Sequence, residues 1–123
     1  MSLDLAIVAA RAAASKTLEE TVLLDVGPLI AITDYFVITS GRNDRQVHAI
    51  VDEVSRQVRE ANGGSVQRSE GLGDANWVLL DYGDFVVHVF SAEARENYGL
   101  ERLWSDTVPV KWDRELAEGI AQV

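Results

Sequence analysis

The segment Trp77-Val78-Leu79-Leu80-Asp81-Tyr82-Gly83-Asp84-Phe85-Val86-Val87-His88-Val89-Phe90 contains two runs of mostly apolar residues separated by a glycine and an aspartate. Both runs are rich in the β-branched, aromatic and aliphatic side chains that are typical of strands. A gap of two residues leaves room only for a tight turn. The segment therefore predicts a β-hairpin.

Two further strands are predicted on the N-terminal side of the hairpin. Residues 34–40 form a nearly continuous apolar run, which is the pattern of a mid-sheet strand covered on both faces. Residues 21–26 form a shorter run that ends at Gly27-Pro28, because proline has no amide hydrogen to donate. Residues 67–76 lack any periodicity, so a surface loop or a short edge strand is expected there.

Helices are predicted on both sides of these strands. A first helix ends near Lys16, and a last short helix is capped by Ser91 and interrupted at Gly99. The clearest helix begins after a cap at Asn43 or Asp44 and leaves through Asn62-Gly63-Gly64. Its apolar stripe consists of Val47, Ile50, Val51, Val54 and Val58.

The composition describes one acidic globular domain. A chain of 123 residues holds a single hydrophobic core, and 47% hydrophobic residues argue against disorder. The net charge of -9 disfavours naked nucleic acid and anionic membranes and favours a basic partner. The absence of cysteine excludes disulfides and thiolate metal sites. With no apolar run long enough for a membrane span, a cytoplasmic location is expected.

The residues that most often carry chemistry indicate structural roles in this chain. Asp81 and Asp84 are three positions apart across the predicted turn, whereas a metal-dependent site needs carboxylates that converge on one side of a strand. They are interpreted as turn acids. His48 and His88 have no second ligand at a suitable spacing, so both are interpreted as structural. No catalytic residue, metal or cofactor is expected.

Residues favoured in binding hot spots are concentrated in the C-terminal half of the chain. Aromatic residues and arginines bury large areas at interfaces while keeping a polar group. A single aromatic residue is more often part of the core, but several with interleaved charges favour a binding surface. The residues concerned are Trp77, Tyr82, Arg95, Tyr98, Arg102 and Trp104.

An ordered set of motifs in this chain resembles the ribosomal silencing factors, the RsfS or Iojap family. The match runs from about residue 3 to residue 105, which makes it much more specific than a short motif. The motifs are Thr33-Asp34-Tyr35-Phe36-Val37-Ile38, Ser40-Gly41, Arg45-Gln46-Val47, Ala49-Ile50, Glu70-Gly71, Trp77-Val78-Leu79-Leu80-Asp81-Tyr82-Gly83-Asp84, Val87-His88-Val89-Phe90 and Tyr98-Gly99-Leu100-Glu101-Arg102-Leu103-Trp104.

The resemblance implies an α+β fold with a mixed sheet of about four to five strands flanked by helices. This fold is distantly like a nucleotidyltransferase without its catalytic aspartates. A family domain is expected over residues 1–105, followed by a tail, 106–123, that is flexible or a short helix. The implied partner is the large-subunit ribosomal protein numbered fourteen, and the implied effect is a blocked intersubunit bridge and lower translation. A homodimer is implied for the free protein.

The resemblance also implies a set of contact residues on the hairpin, the loop before it and the last helix. This set is Glu70, Trp77, Asp81, Tyr82, Arg95, Tyr98, Glu101 and Trp104. Two other functions stay open at this point. One is an enzyme of nucleotidyltransferase type that uses Asp81 and Asp84, and the other is a dimerising adaptor that uses the aromatic residues for self-association.

Overall fold

Ten short helices and strands make up the fold in the computed structural model, which describes residues 2–30, 32–103 and 105–112. In chain order they are α1 (Ser2–Ala14), β1 (Val22–Asp25), β2 (Tyr35–Gly41), α2 (Asp44–Glu60), β3 (Arg68–Glu70), β4 (Trp77–Asp81), β5 (Phe85–Ser91), α3 (Ala92–Tyr98), α4 (Leu100–Leu103) and β6 (Val108–Pro109). The strands form one sheet in the order β3-β4-β5-β2-β1-β6. The predicted α+β class is confirmed.

The predicted hairpin is present as β4 and β5. Trp77 pairs with Phe90, and the pairing continues to Asp81 opposite Val86. The amide of Tyr82 donates a hydrogen bond to the carbonyl of Phe85 at 3.0 Å, which closes the turn at Gly83-Asp84. Strand β5 then pairs in parallel with β2, while the other pairings in the sheet are antiparallel. As predicted, β2 lies mid-sheet, and six of its seven residues are buried.

Helices α1 and α2 cover one face of the sheet. The amide of Gln46 donates a hydrogen bond to the side chain of Asn43 at 2.9 Å, so Asn43 caps α2. The predicted apolar stripe of α2 is buried, including Val47, Ile50 and Val54 with no exposed area. Helix α1 contributes alanines to the same core, and these small side chains let it pack closely against α2. We call this side of the sheet the helical face.

The opposite face of the sheet carries a smaller apolar cluster. Phe36, Ile38 and Phe90 are buried there, and Ala94 of α3 packs onto them. The amide of Ala94 donates to the Ser91 hydroxyl at 3.1 Å, so Ser91 caps α3 as predicted. Gly99 ends α3 in the left-handed region at φ 57°, which favours glycine, and α4 follows in a new direction. We call this side the aromatic face.

The sheet extends beyond residue 105, where the sequence places the end of the domain. Strand β6 pairs with β1, which gives six strands instead of the expected four to five. The indole of Trp112 donates a hydrogen bond to the carbonyl of Thr21 at 3.0 Å, and both Val110 and Trp112 pack against the core. Burial of these two side chains explains why the chain returns to the sheet. The remainder of the predicted tail, 113–123, lies outside the described residues.

Among the residues described, none of the helices combines the length and the apolar character that a membrane span requires.

Candidate partner-binding surface

Strand β4 divides the predicted contact residues between the two faces of the sheet. Alternate side chains of a strand point to opposite faces. Val78 and Leu80 belong to the core of the helical face, whereas Trp77 and Leu79 pack on the aromatic face. Asp81 continues the second series, and Glu70 of β3 lies opposite Leu79. We call the group formed by Glu70, Trp77, Leu79, Asp81 and the neighbouring Tyr98 the Trp77–Tyr98 surface.

Trp77 is half-buried at the centre of this surface. Its ring centroid lies 4.9 Å from that of Phe90 below it and 4.9 Å from that of Tyr98 at the end of α3. Its indole Nε1 donates a hydrogen bond to Nδ1 of His88 at 3.1 Å. Trp77 therefore joins the core of the aromatic face to its surface.

Tyr98 is the most exposed of the described aromatic residues in the predicted contact set, with 58% of its area accessible. It ends α3 and lies beside an open cleft of about 490 Å³ that Asn76, Glu93 and Asn97 also line. An exposed tyrosine held by a neighbouring ring offers a rigid apolar contact with a polar end. Tyr98 is therefore the strongest candidate for a direct contact with a partner.

His88 lies beneath the surface and is 5% exposed. The edge-on ring of Phe36 is 4.6 Å from it, and Phe90 lies on another side. Burial lowers the pKa of His88 to about 4, so the imidazole is neutral at pH 7. Its Nδ1 accepts from Trp77, while Nε2 is buried without a hydrogen-bond partner among the described residues. The burial of His88 agrees with the structural interpretation, but its bond to Trp77 was not foreseen.

Tyr82 lies on the helical face and is separated from the Trp77–Tyr98 surface. Its ring stacks on Phe85 at 4.8 Å with an interplanar angle of 15°, and 8% of its area is exposed. Burial is the largest cause of its raised pKa. Tyr82 directly follows β4, five positions after Trp77, and in extended chain an odd spacing sends two side chains to opposite faces. The structure thus shows Tyr82 as a core residue.

Arg95 and Glu101 are engaged with each other. Nε and Nη2 of Arg95 donate to the two carboxylate oxygens of Glu101 at 2.8 and 3.1 Å. Nη1 of Arg95 also donates to the Ser40 hydroxyl at 3.0 Å and to the backbone carbonyl of Glu20. With 13% of its side chain exposed, Arg95 fastens α3 and α4 to the sheet.

The acidic residues of the set have different surroundings. Asp81 accepts a hydrogen bond from the amide of Gly83 at 2.8 Å, which confirms its role as a turn acid. Glu70 is exposed on the edge strand and forms an ion pair with Arg68 at 3.3 Å. Trp104, the last predicted contact residue, lies outside the described residues. Within the described part of the chain, no group of three or more His, Asp or Glu side chains could hold a metal ion.

Leu79 and the two asparagines that line the cleft were not among the contact residues predicted from the sequence. Leu79 lies between Trp77 and Asp81 on the same face, and the period of two along β4 was the signal that could have found it. Asn76 precedes the hairpin and Asn97 lies on α3, so only their approach in space puts them around one cleft.

Comparison with known proteins identifies the family. The family model described as "Ribosomal silencing factor during starvation" matches residues 1–122. The chain is 44% identical over 99 residues to ribosomal silencing factor RsfS of Bacillus subtilis, covering 80% of this chain and 83% of the relative.

Two solved structures support the same conclusion. A crystal structure from Chromobacterium violaceum superposes with a TM-score of 0.80 at 30% identity, covering 85% of this chain and 87% of the other. A crystal structure from Bacillus halodurans gives 0.70 at 38% identity, covering 89% and 95%. Since the family model spans nearly the whole chain, this chain belongs to the ribosomal silencing factor family.

Proposed function

We propose that this protein binds the large ribosomal subunit through the Trp77–Tyr98 surface, at the ribosomal protein numbered fourteen. Bound there, it blocks an intersubunit bridge, prevents association of the subunits and lowers translation. Family membership supports a role at the ribosome. The observation that carries the assignment to this surface is Tyr98, which is 58% exposed and packs against the half-buried Trp77.

The two rings have exposed area that a partner can bury. Free-energy contributions at interfaces are concentrated in a few aromatic or arginine anchors at the centre of the contact. Tyr98 has a large area left to bury, and the ring of Trp77 limits its movement before binding. A contact that is already ordered loses less conformational entropy on binding.

Charged residues around the surface favour one kind of partner. The protein has a net charge of -9, and Glu70, Asp81 and Glu93 lie on or beside the Trp77–Tyr98 surface. Acidic groups around an apolar centre favour a basic protein and mainly raise the rate of association. Because exposed charges are screened over about 10 Å at 0.1 M salt, the association rate should fall as salt is added.

Subunit joining tests the proposal directly. Excess protein is mixed with purified large and small subunits, and the joined ribosomes are measured by sedimentation. We expect fewer joined ribosomes with the wild type and no such decrease with Tyr98→Ala at an equal concentration. Leu18→Ala is the matched control, because Leu18 is 92% exposed and lies in the α1–β1 loop. Unchanged joining with excess wild-type protein would reject the proposal.

The homodimer expected for the free protein is part of the proposal and needs its own measurement. Light scattering over a range of concentrations should give a mass near twice 13.5 kDa. If Tyr98→Ala also converts the dimer to monomers, self-association uses the Trp77–Tyr98 surface and competes with the ribosome. A dimer that is unaffected by the substitution assigns the two contacts to different surfaces.

A further inference from the structure

The hydrogen bond between Trp77 and His88 links the Trp77–Tyr98 surface to a buried polar group. The indole Nε1–H donates to Nδ1 of His88, and the two nitrogens are 3.1 Å apart. His88 lies opposite Leu79 in the β4–β5 pairing, so the indole reaches diagonally across the hairpin to meet it. The bond is a contact between neighbouring strands and does not come from an approach of distant segments.

This arrangement fixes the state of the imidazole. An Nδ1 that accepts a hydrogen bond carries no proton, so the neutral ring has its proton on Nε2. Phe36, Phe90 and Trp77 surround the ring, and all three are aromatic. Nε2 is buried and has no hydrogen-bond partner among the described residues. The hydrogen bond that this side chain forms is the one that Nδ1 accepts from Trp77.

Burying an imidazole in an apolar cluster costs free energy of desolvation. A buried donor without a partner keeps the cost of its lost hydration, whereas an apolar side chain of similar shape has no such cost. His88 lies next to Ile38 and Val86 in a region where apolar residues pack well. What an apolar side chain would lack at this position is the acceptor for the indole of Trp77.

We infer that His88 is a positioning residue for partner binding. It holds the indole of Trp77 in one orientation against Tyr98 and Phe90 without itself being part of the exposed surface. The hydrogen bond opposes rotation of the half-buried indole, and the two flanking rings, both 4.9 Å away, define the remaining directions. This inference rests on the proposed function for its binding consequence, but the effect on Trp77 is measurable in the free protein.

A pair of isosteric substitutions separates positioning from packing. The side-chain oxygen of asparagine occupies the place of the Nδ1 acceptor. Leucine has the same shape as asparagine but has no acceptor. His88→Leu should not lower the midpoint of thermal unfolding below that of His88→Asn, because leucine suits the apolar surroundings. Affinity for isolated large subunits should show the reverse order, with His88→Leu about fivefold weaker, as expected for one lost hydrogen bond.

Two further measurements make the test specific to the indole. In the Trp77→Phe background, which has no indole N–H, the two His88 variants should bind large subunits equally. In the otherwise wild-type background, the indole N–H resonance of Trp77 should shift in His88→Leu and exchange its hydrogen faster, and His88→Asn should partly restore both. His48→Gln is the control for loss of a histidine, because His48 is exposed on α2.

Several outcomes would overturn the inference. Affinities that follow the order of unfolding midpoints would make His88 a packing residue only. A difference between the two variants that persists in the Trp77→Phe background would show that His88 acts through another group. If His88→Asn does not fold, His88→Leu must still shift the indole resonance, and its midpoint of thermal unfolding must not be lower than that of the wild type. If the wild type does not bind large subunits, the proposed function fails, and the indole resonance alone decides the positioning role.

Discussion

The ring of Tyr98 lies 4.9 Å from the ring of Trp77 with an angle of 47° between the planes. The contact joins the end of α3 to the start of β4, so a short helix and a hairpin present one aromatic surface. The two rings are not equivalent. Tyr98 is exposed, whereas Trp77 is half-buried and also packs on Phe90. Binding and folding can therefore be separated at Tyr98 but not at Trp77.

Tyr98→Ala should weaken binding to large subunits by about 2 kcal/mol, roughly thirtyfold, because it removes an exposed anchor. The free energy of unfolding should fall by about 1 kcal/mol or less, since the loss in the free protein is mainly one aromatic contact. Titration of isolated large subunits and denaturant unfolding measure the two quantities. Trp77→Ala should instead lower stability by about 3 kcal/mol, so its effect on binding is not interpretable by itself. Wild-type affinity in folded Tyr98→Ala would remove Tyr98 from the contact set.

Arg95→Ala should destabilise the protein by about 2 kcal/mol. The substitution removes a bidentate pair with Glu101, a hydrogen bond to Ser40 of β2 and one to the Glu20 carbonyl in the loop before β1. It leaves the Ser40 hydroxyl and the Glu20 carbonyl without this donor. Arg56→Ala is the matched control. Arg56 also contacts two carboxylates, but its side chain is 53% exposed and its ion pairs are screened by solvent, so the expected loss is much smaller than for Arg95. Equal losses in denaturant unfolding would contradict the structural role of Arg95.

Gly71→Ala should disturb the loop that leads into the hairpin. At Gly71 φ is +87°, and an added Cβ would lie 2.0 Å from the carbonyl oxygen of Trp77. We expect a loss of about 2 to 4 kcal/mol and a weaker contact at Trp77. Gly64→Ala isolates the backbone effect, because φ there is +75° and no atom beyond the adjacent residues lies within 4 Å of the added Cβ. Its expected cost is about 1 kcal/mol. Urea unfolding of both variants gives the comparison, and similar losses would argue against the contact with Trp77.

His88 should make the stability depend on pH between about 6.5 and 4. Burial lowers the folded-state pKa to about 4, below the ordinary value near 6.5, so the unfolded chain binds the proton more readily in this range. The contribution of neutral His88 to the free energy of unfolding is complete above about pH 6.5 and decreases as the pH falls toward 4. At about pH 5 the loss relative to about pH 8 should be roughly 2 kcal/mol.

The variant His88→Leu provides the reference for this pH dependence. It has no titrating group at this position, so the stability difference between wild type and variant should change by the same roughly 2 kcal/mol between about pH 8 and pH 5. Comparing the two proteins cancels the carboxylates that titrate over the same range. Denaturant unfolding at the two pH values gives the difference, and a value that does not change with pH would show that His88 is protonated as easily in the folded protein as in the unfolded chain.

Local patterns were sufficient for several parts of the fold. The two-residue gap at Gly83-Asp84 predicted the hairpin, and the stripe from Val47 to Val58 predicted α2, because turns and helices depend on neighbours along the chain. Strand β6 was not predicted. It has two residues and pairs with β1 far back in the sequence, so no local signal marks it.

Some features of the candidate site follow from the local sequence, and others do not. The period of two along β4, continued to the next residue, places Trp77 and Tyr82 on opposite faces, although the resemblance grouped them in one contact set. The pairing of Arg95 with Glu101 does not follow from helical spacing, because the two residues are six positions apart and the chain changes direction at Gly99. Their engagement inside the protein became visible only with the positions of α3 and α4.

Residue order and periodicity along the chain were sufficient to predict the family, the hairpin, the main helix and the residue types available for binding. How those residues are used depends on tertiary packing. Packing of α1 and α2 on one side of the sheet buries Tyr82, and the return of α3 on the other side leaves Tyr98 exposed beside Trp77. Exposure depends on which surfaces meet in space, and contacts between distant segments have no signature in the local sequence.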